Sequence, residues 1–237
     1  MSWTDKKSIE QILKIRDKFN ISTFIETGTF KGINAKFHAQ NFKNILTCEL
    51  KDEYFKMAEE RLKHYNNVHV YKQSSPEFLK WFIKAYNLEG RQDIVFIYLD
   101  AHFYDPTLPS DKKWVVVNEL KALAGFKNCV ICIHDFDCEG LGHCIYDGEH
   151  LGWSLVGKEI IKVNSNFYLY TNTKEFCEIY NKETIANVPG INLDEDVLDN
   201  IQYAWTSEAK TYRGILYAVP EKLDLNNFQL IEFNPKD

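Results

Sequence analysis

Phe24-Ile25-Glu26-Thr27-Gly28-Thr29-Phe30-Lys31-Gly32 runs from a short apolar strand through an acid into a turn bounded by two glycines. Glycine lets a backbone approach a ligand closely, and a helix beginning after Gly32 points its N–H groups into the same cleft. The spacing is not the dinucleotide fingerprint, which needs more glycines. It is not a phosphate loop either, because Gly32 is followed by Ile33 rather than Lys. An acid at Glu26 suits a positively charged ligand moiety better than a pyrophosphate.

The same grammar recurs along the chain. Ile45-Leu46-Thr47-Cys48 leads into Glu49, and Val68-His69-Val70-Tyr71 into Ser74-Ser75-Pro76. Ile94 to Leu99 leads into Asp100-Ala101-His102, and Cys129-Val130-Ile131-Cys132-Ile133 into His134-Asp135. Helical patterns lie between them, near Ala35 to Gln40, Asp52 to His64, Pro76 to Tyr86 and Val116 to Leu123. An amphipathic helix opens the chain from Thr4 to Phe19, with Ile9, Ile12, Leu13, Ile15 and Phe19 on one face. Continuous apolar strands alternating with helices predict an α/β fold: a Rossmann-like, doubly wound, mostly parallel sheet with helices on both faces. Two later strands, Phe167 to Tyr170 and Gly214 to Val219, are expected, the second completing the sheet. A helical insert over residues 172–212 precedes that closing strand.

The 237 residues read as a single domain with no internal repeat or linker: an opening helix (1–20), a core (21–137) and a later part (138–237). A net charge of -6 argues against a nucleic-acid or membrane partner. The six cysteines and the polar start Met1-Ser2-Trp3-Thr4-Asp5 are read as a thiol-reduced, cytoplasmic protein without a leader. Cys129 and Cys132 point to opposite faces of a strand, so core packing is expected rather than a shared metal. Cys138, His143, Cys144 and His150 fit no known metal knuckle.

Ligands of such sheets bind beyond the strands' carboxyl ends, where Glu49 is placed to accept hydrogen bonds from a ribose diol. Taken in order, Glu26 to Gly32, Glu49, Asp100-Ala101-His102-Phe103-Tyr104 and Ile131 to Asp135 resemble the class I S-adenosylmethionine-dependent methyltransferases. Within them the pattern resembles the macrocin-type and catechol-type O-methyltransferases, from Thr23 to Asp137. The resemblance implies that Glu26, Gly28 and Gly32, with Thr27 and Thr29 in the same loop, line the methionine part of S-adenosylmethionine. It implies Glu49 on the ribose, Ser74 and Ser75 near the adenine, and Asp100 beside the cofactor.

It further implies a divalent metal, Mg or Mn, on Asp100 and Asp135 with His134 as a third ligand. The lysine that catechol-type enzymes use as base is absent, with Phe103 at that place. The base is therefore expected at His102 or His134, with Asp100 in the catalytic set. An alcohol's high pKa is the reason a base or metal is needed. The polar, aromatic stretch Tyr146 to Trp153 follows the fifth strand and would lie beside a small-molecule or carbohydrate acceptor; the same residues also read as a plain surface loop. Trp205 and Arg213 carry the same two readings. A homodimer, a metal-free N- or C-methyl transfer and a non-catalytic binding protein all stay open.

Overall fold

Five apolar runs form five adjacent parallel strands, none of which carries a proline; those at Thr23, Val95 and Cys129 are buried on both faces and the edge run at Val68 is only half-buried. The computed structural model describes residues 6–101, 107, 114–138, 145–146, 148–172 and 214–235. The strands are β1 (Thr23–Thr27), β2 (Asn44–Glu49), β3 (Val68–Lys72), β4 (Val95–Leu99) and β5 (Cys129–His134). They lie in the order β3-β2-β1-β4-β5 and pair in parallel throughout. The order reverses between β1 and β4, which opens a crevice at their carboxyl ends.

Between them run α2 (Ile33–His38), α3 (Asp52–Leu62), α4 (Ser75–Leu88) and α5 (Val115–Ala122), and α1 (Lys6–Lys18) precedes the first strand. Alternate residues of each strand feed two cores on opposite faces of the sheet. Ile25, Ile97, Leu99, Ile131 and Ile133 pack with Phe78, Leu79 and Phe82 of α4 and Leu120 of α5. Phe24, Ile45, Phe96, Tyr98 and Val130 pack with Ile12 and Ile15 of α1, Ala35 of α2, and Ala58 and Leu62 of α3. Full burial of an Ile side chain is worth about 1.5–3 kcal/mol, so Ile12 and Ile15 alone anchor α1 firmly. Cys129 enters the first core and Cys132 the second, the opposed orientation that strand periodicity predicts. The four described cysteines, Cys48, Cys129, Cys132 and Cys138, are buried.

Beyond β5 come a two-stranded ribbon of β6 (Ile145–Tyr146) and β7 (Glu149–His150), then α6 (Trp153–Val163) and β8 (Tyr168–Thr171). β9 (Ile215–Val219), α7 (Leu225–Phe228) and β10 (Ile231–Glu232) end the described chain. β9 enters the sheet antiparallel between β5 and β8, and β10 pairs on the far side of β8. Both late strands that the sequence predicts join the sheet, but β9 is not the last strand. β10 went unread because two residues leave no periodicity. The helix α6 was also missed: its apolar face (Val156, Ile160, Val163) begins just past the stretch that reads as a loop. Residues 173–212 of the predicted insert, with Trp205 among them, and Arg213 lie outside the described residues. Among the described residues no helix is long and apolar enough to cross a membrane.

Candidate functional site

The glycine turn after β1 owes its shape to a close backbone approach. Gly28 has φ 78°, and a Cβ there would lie 2.8 Å from Ala101 Cα and 2.8 Å from the Asp100 carbonyl oxygen. The end of β4 therefore passes directly against Gly28, a contact that the sequence reading had reserved for a ligand. Thr27 reinforces it, its hydroxyl accepting from the Asp100 amide at 3.2 Å. Gly32, at φ 79°, lets the start of α2 settle on Leu62 of α3.

Phe30 also sits in the left-handed region, at φ 50°, an uncommon conformation for a bulky residue. That turn aims its N–H at Glu49 Oε2 (2.9 Å), while the Lys51 N–H donates to Glu49 Oε1 (2.9 Å). Two backbone donors hold the carboxylate in one orientation at the end of β2. Each oxygen keeps a second lone pair for a ligand hydroxyl.

A cavity of about 260 Å³ opens over this turn. It is lined by Gly28, Phe30, Glu49, Tyr54, Ser74, Ser75, Asp100, Ala101 and Val115 of α5, with the Phe30 and Tyr54 rings packed together at 4.3 Å between centroids. Five of the residues expected at a cofactor thus meet around one space: Gly28, Glu49, Ser74, Ser75 and Asp100. Tyr54 and Val115 carried no sequence signal, being single apolar or aromatic positions at the starts of helices.

Glu26, Thr27, Thr29 and Gly32 do not line the cavity, and Glu26 requires a correction. It is completely buried, and both oxygens are taken within the protein: Asn34 Nδ2 donates to Oε1 (2.8 Å) and the Thr47 hydroxyl to Oε2 (2.6 Å). Thr29 and Thr47 hydroxyls meet at 2.5 Å and extend the network. Burial raises the Glu26 carboxyl to about 8, against the opposing pull of the Thr47 and Asn34 hydrogen bonds. Glu26 is thus a neutral acid tying β1, β2 and α2 together beneath the turn, rather than a charge facing a ligand.

At the adjacent strand ends, Asp100, His134 and Asp135 converge in full burial. Asp135 reaches inward by adopting φ 60°, a conformation that Asp tolerates better than most residues. His134 Nδ1 lies 3.2 Å from Asp100 Oδ1 and 3.2 Å from Asp135 Oδ1. Burial pushes the imidazole toward the neutral form, but the charges of Asp135 and Asp100 and their hydrogen bonds outweigh it and raise its pKa to about 9. At neutral pH the ring is an imidazolium held between two carboxylates, and the trio carries a net single negative charge. Ligand atoms of the three residues also lie within 4.8 Å of one another, a donor set suited to a divalent cation once the ring loses its proton. His102, Phe103, Tyr104, His143 and Cys144 lie outside the described residues.

Past the carboxyl end of β5, His150 of β7 places Nδ1 2.8 Å from Asp137 Oδ2. Thirteen positions separate the two residues, so their pairing carries no signal in the sequence.

No family model and no curated protein matches the sequence. Solved structures do resemble it. The methyltransferase domain of bacterial CtHen1 aligns with a TM-score of 0.50 at 10% identity, covering 90% of this chain and 98% of that one. Spermidine synthase from Thermotoga maritima aligns with a TM-score of 0.50 at 12% identity, over 94% of this chain and 63% of that one. The plantazolicin methyltransferase BamL aligns at 0.48, with 12% identity, 91% of this chain and 84% of that one. The fold is that of the class I methyltransferases. Nothing in these neighbours singles out the macrocin-type or catechol-type branch of it. A class I fold hosts several chemistries, so the activity has to be argued from the site.

Proposed function

We propose that the protein is an S-adenosylmethionine-dependent methyltransferase acting on a hydroxyl of a small molecule or sugar. The observation that carries this reading is the cavity at the switch point, lined both by Glu49, which two backbone amides hold in place, and by Asp100. Glu49 is oriented to accept from vicinal hydroxyls, as a ribose offers. Ser74 and Ser75 open α4 and supply polar groups at the end of β3. The net negative charge of the Asp100–His134–Asp135 trio favours a cationic ligand beside Asp100.

When bound, S-adenosylmethionine supplies a methyl group already activated on a sulfonium centre. The residues then have two tasks, to align the acceptor and to take its proton. The trio fits a divalent ion by donor type and spacing. Asp100, Asp135 and a deprotonated His134 would hold it, and it would supply electrostatic stabilisation of an acceptor oxygen. At neutral pH the His134 proton competes for the same place, so the residues alone are sufficient to keep the two carboxylates together.

The test is calorimetry with S-adenosylhomocysteine. The wild-type protein should bind it. Glu49→Gln replaces one acceptor oxygen with an NH₂ group facing a backbone N–H or a ribose hydroxyl, and should weaken binding roughly 10-fold or more, in line with about 1.5–3 kcal/mol for a hydrogen bond to a charged group. Equal affinity in the variant would remove the ribose assignment, and no binding by wild type would remove the reading.

A further inference from the structure

Resting on that reading, we propose that Tyr54 is a positioning residue for the ribose: through the ring of Phe30 it holds the turn that presents Glu49 to the vicinal hydroxyls. Four cavity residues, Phe30, Glu49, Lys51 and Tyr54, form a closed circuit of contacts. The Phe30 N–H donates to Glu49 Oε2 at 2.9 Å, and the Lys51 N–H to Oε1 at 2.9 Å. The Phe30 ring packs on the Tyr54 ring, with centroids 4.3 Å apart and planes inclined by 56°. Lys51 closes the circuit, its Nζ lying 5.7 Å from the centre of the Tyr54 ring.

The weak link of this circuit is the Phe30 backbone. At φ 50° it lies in the left-handed region, where the Cβ of an ordinary residue crowds the following carbonyl oxygen. Such a conformation persists only where the surroundings over-determine it. Two contacts to the Phe30 ring do so: the Tyr54 ring, and Lys31 Nζ at 5.7 Å from the ring centre. Both are favourable and sensitive to geometry. Lys31 belongs to the very turn it would have to hold. Tyr54 does not: it is the third residue of α3 and half-buried, so a helix fixes where its ring stands.

Without the Tyr54 ring, the turn is expected to relax toward negative φ and its N–H to lose alignment with Glu49. The carboxylate then keeps the Lys51 N–H alone and can swing away from the diol. Ser74, Ser75, Asp100 and Val115 line the same cavity from other elements and take no part in the circuit. The loss should therefore fall on the ribose hydroxyls rather than on the ligand as a whole. Only the ring of Tyr54 enters the circuit, so its hydroxyl should be dispensable.

The experiment is calorimetry of the full-length protein with two ligands, S-adenosylhomocysteine and its 2′,3′-dideoxy analogue, which lacks the diol. The wild type should prefer the first roughly 10-fold or more, the scale of a hydrogen bond to a charged group. Tyr54→Ala should erase most of that preference, weakening S-adenosylhomocysteine while leaving the dideoxy analogue nearly unchanged; Tyr54→Phe should retain it. Phe30→Gly should retain it as well, because glycine takes a positive φ without strain, whereas Phe30→Ala should not. Binding of the dideoxy analogue shows in each case that the cavity is folded. Equal weakening of both ligands in Tyr54→Ala, or a preference as large as that of the wild type, would overturn the proposal. Loss of both ligands in Tyr54→Ala and in Tyr54→Leu alike would overturn it too. Wild-type protein that binds the two ligands equally would remove the Glu49–ribose assignment, and the positioning role with it. Wild-type protein that binds neither would instead overturn the methyltransferase reading itself.

Discussion

Glu26→Gln removes a proton that the folded protein holds and the unfolded chain releases. The folded carboxyl titrates at about 8 against an ordinary 4.5, with burial as the main cause. Below pH 4.5 both states are protonated and the full stability is present. Between those values only the folded state keeps its proton, so stability falls as pH rises and is lost through the folded pKa. The slope is about 1.4 kcal/mol per pH unit, on the order of 5 kcal/mol across the window.

Glutamine has the same shape, stays neutral, and still offers an oxygen to Asn34. Its NH₂ can donate to the Thr47 hydroxyl, which tolerates the reversed bond because a hydroxyl both donates and accepts. Urea unfolding of both proteins at pH 5, 6, 7 and 8, at fixed ionic strength, isolates the residue, since all other titrations largely cancel in the difference. The variant should gain on the wild type steadily up to pH 8 and level off above it. A difference that stays constant over those four pH values would refute the neutral-acid assignment.

Three further outcomes follow from the geometry. Gly28→Ala places a methyl group 2.8 Å from the β4 backbone at a positive φ. It should lower the thermal midpoint without ligand, by more than the ~1 kcal/mol ordinarily at stake when Ala replaces Gly; an unchanged midpoint would show that the turn is slack. His134→Leu leaves the Asp100 and Asp135 carboxylates facing each other in a buried site and should cost about 3–5 kcal/mol in chemical denaturation. A loss under about 1 kcal/mol would show that the imidazolium is not what holds them together. His38 is buried among Phe24, Phe37 and Phe42 with no hydrogen-bond partner for either ring nitrogen among the described residues, and burial lowers its pKa to about 3. As pH falls from 6.5 toward 3 the unfolded chain gains a proton that the folded one refuses, so stability declines. His38→Phe should therefore overtake the wild type by about 1.4 kcal/mol per unit of acidification in that window, measured by denaturation at pH 4 to 7; parallel pH curves would contradict it.

How far these features could be read from the chain depended on what set each one. β1 to β5 were legible because every buried strand is a short apolar run broken by a polar residue at its carboxyl end. The opening helix was legible from Ile9, Ile12 and Ile15. Gly28 was recognisable as a tight position, yet its neighbour is the backbone of Ala101, which arrives from another strand. A strand-terminal acid looks the same whether it faces a cavity, as Glu49 does, or lies beneath it, as Glu26 does. The difference is made by Asn34 and Thr47, which only the packing of α2 and β2 brings within reach. The protonation of His134 depends likewise on two carboxylates, one of them on a different strand. The His150–Asp137 pair is a purely tertiary event.

The place of β9 has a consequence for how the protein is made. Residues 215–219 emerge after β1 to β8, yet they fill the gap between β5 and β8. Until they arrive, β5 presents an open edge of unpaired N–H and C=O groups, and β8 has nothing to join. The opening helix waits as well, since Lys14 bonds to the Asn227 carbonyl and Gln11 to the Tyr217 hydroxyl. Assembly therefore ends on pairings between residues distant in sequence, which are slow to find and leave sticky edges exposed in the meantime. A ribosome-stalled or C-terminally clipped chain ending before Gly214 would be a nascent species with β5 and β8 unsealed, and aggregation would compete directly with the closing step.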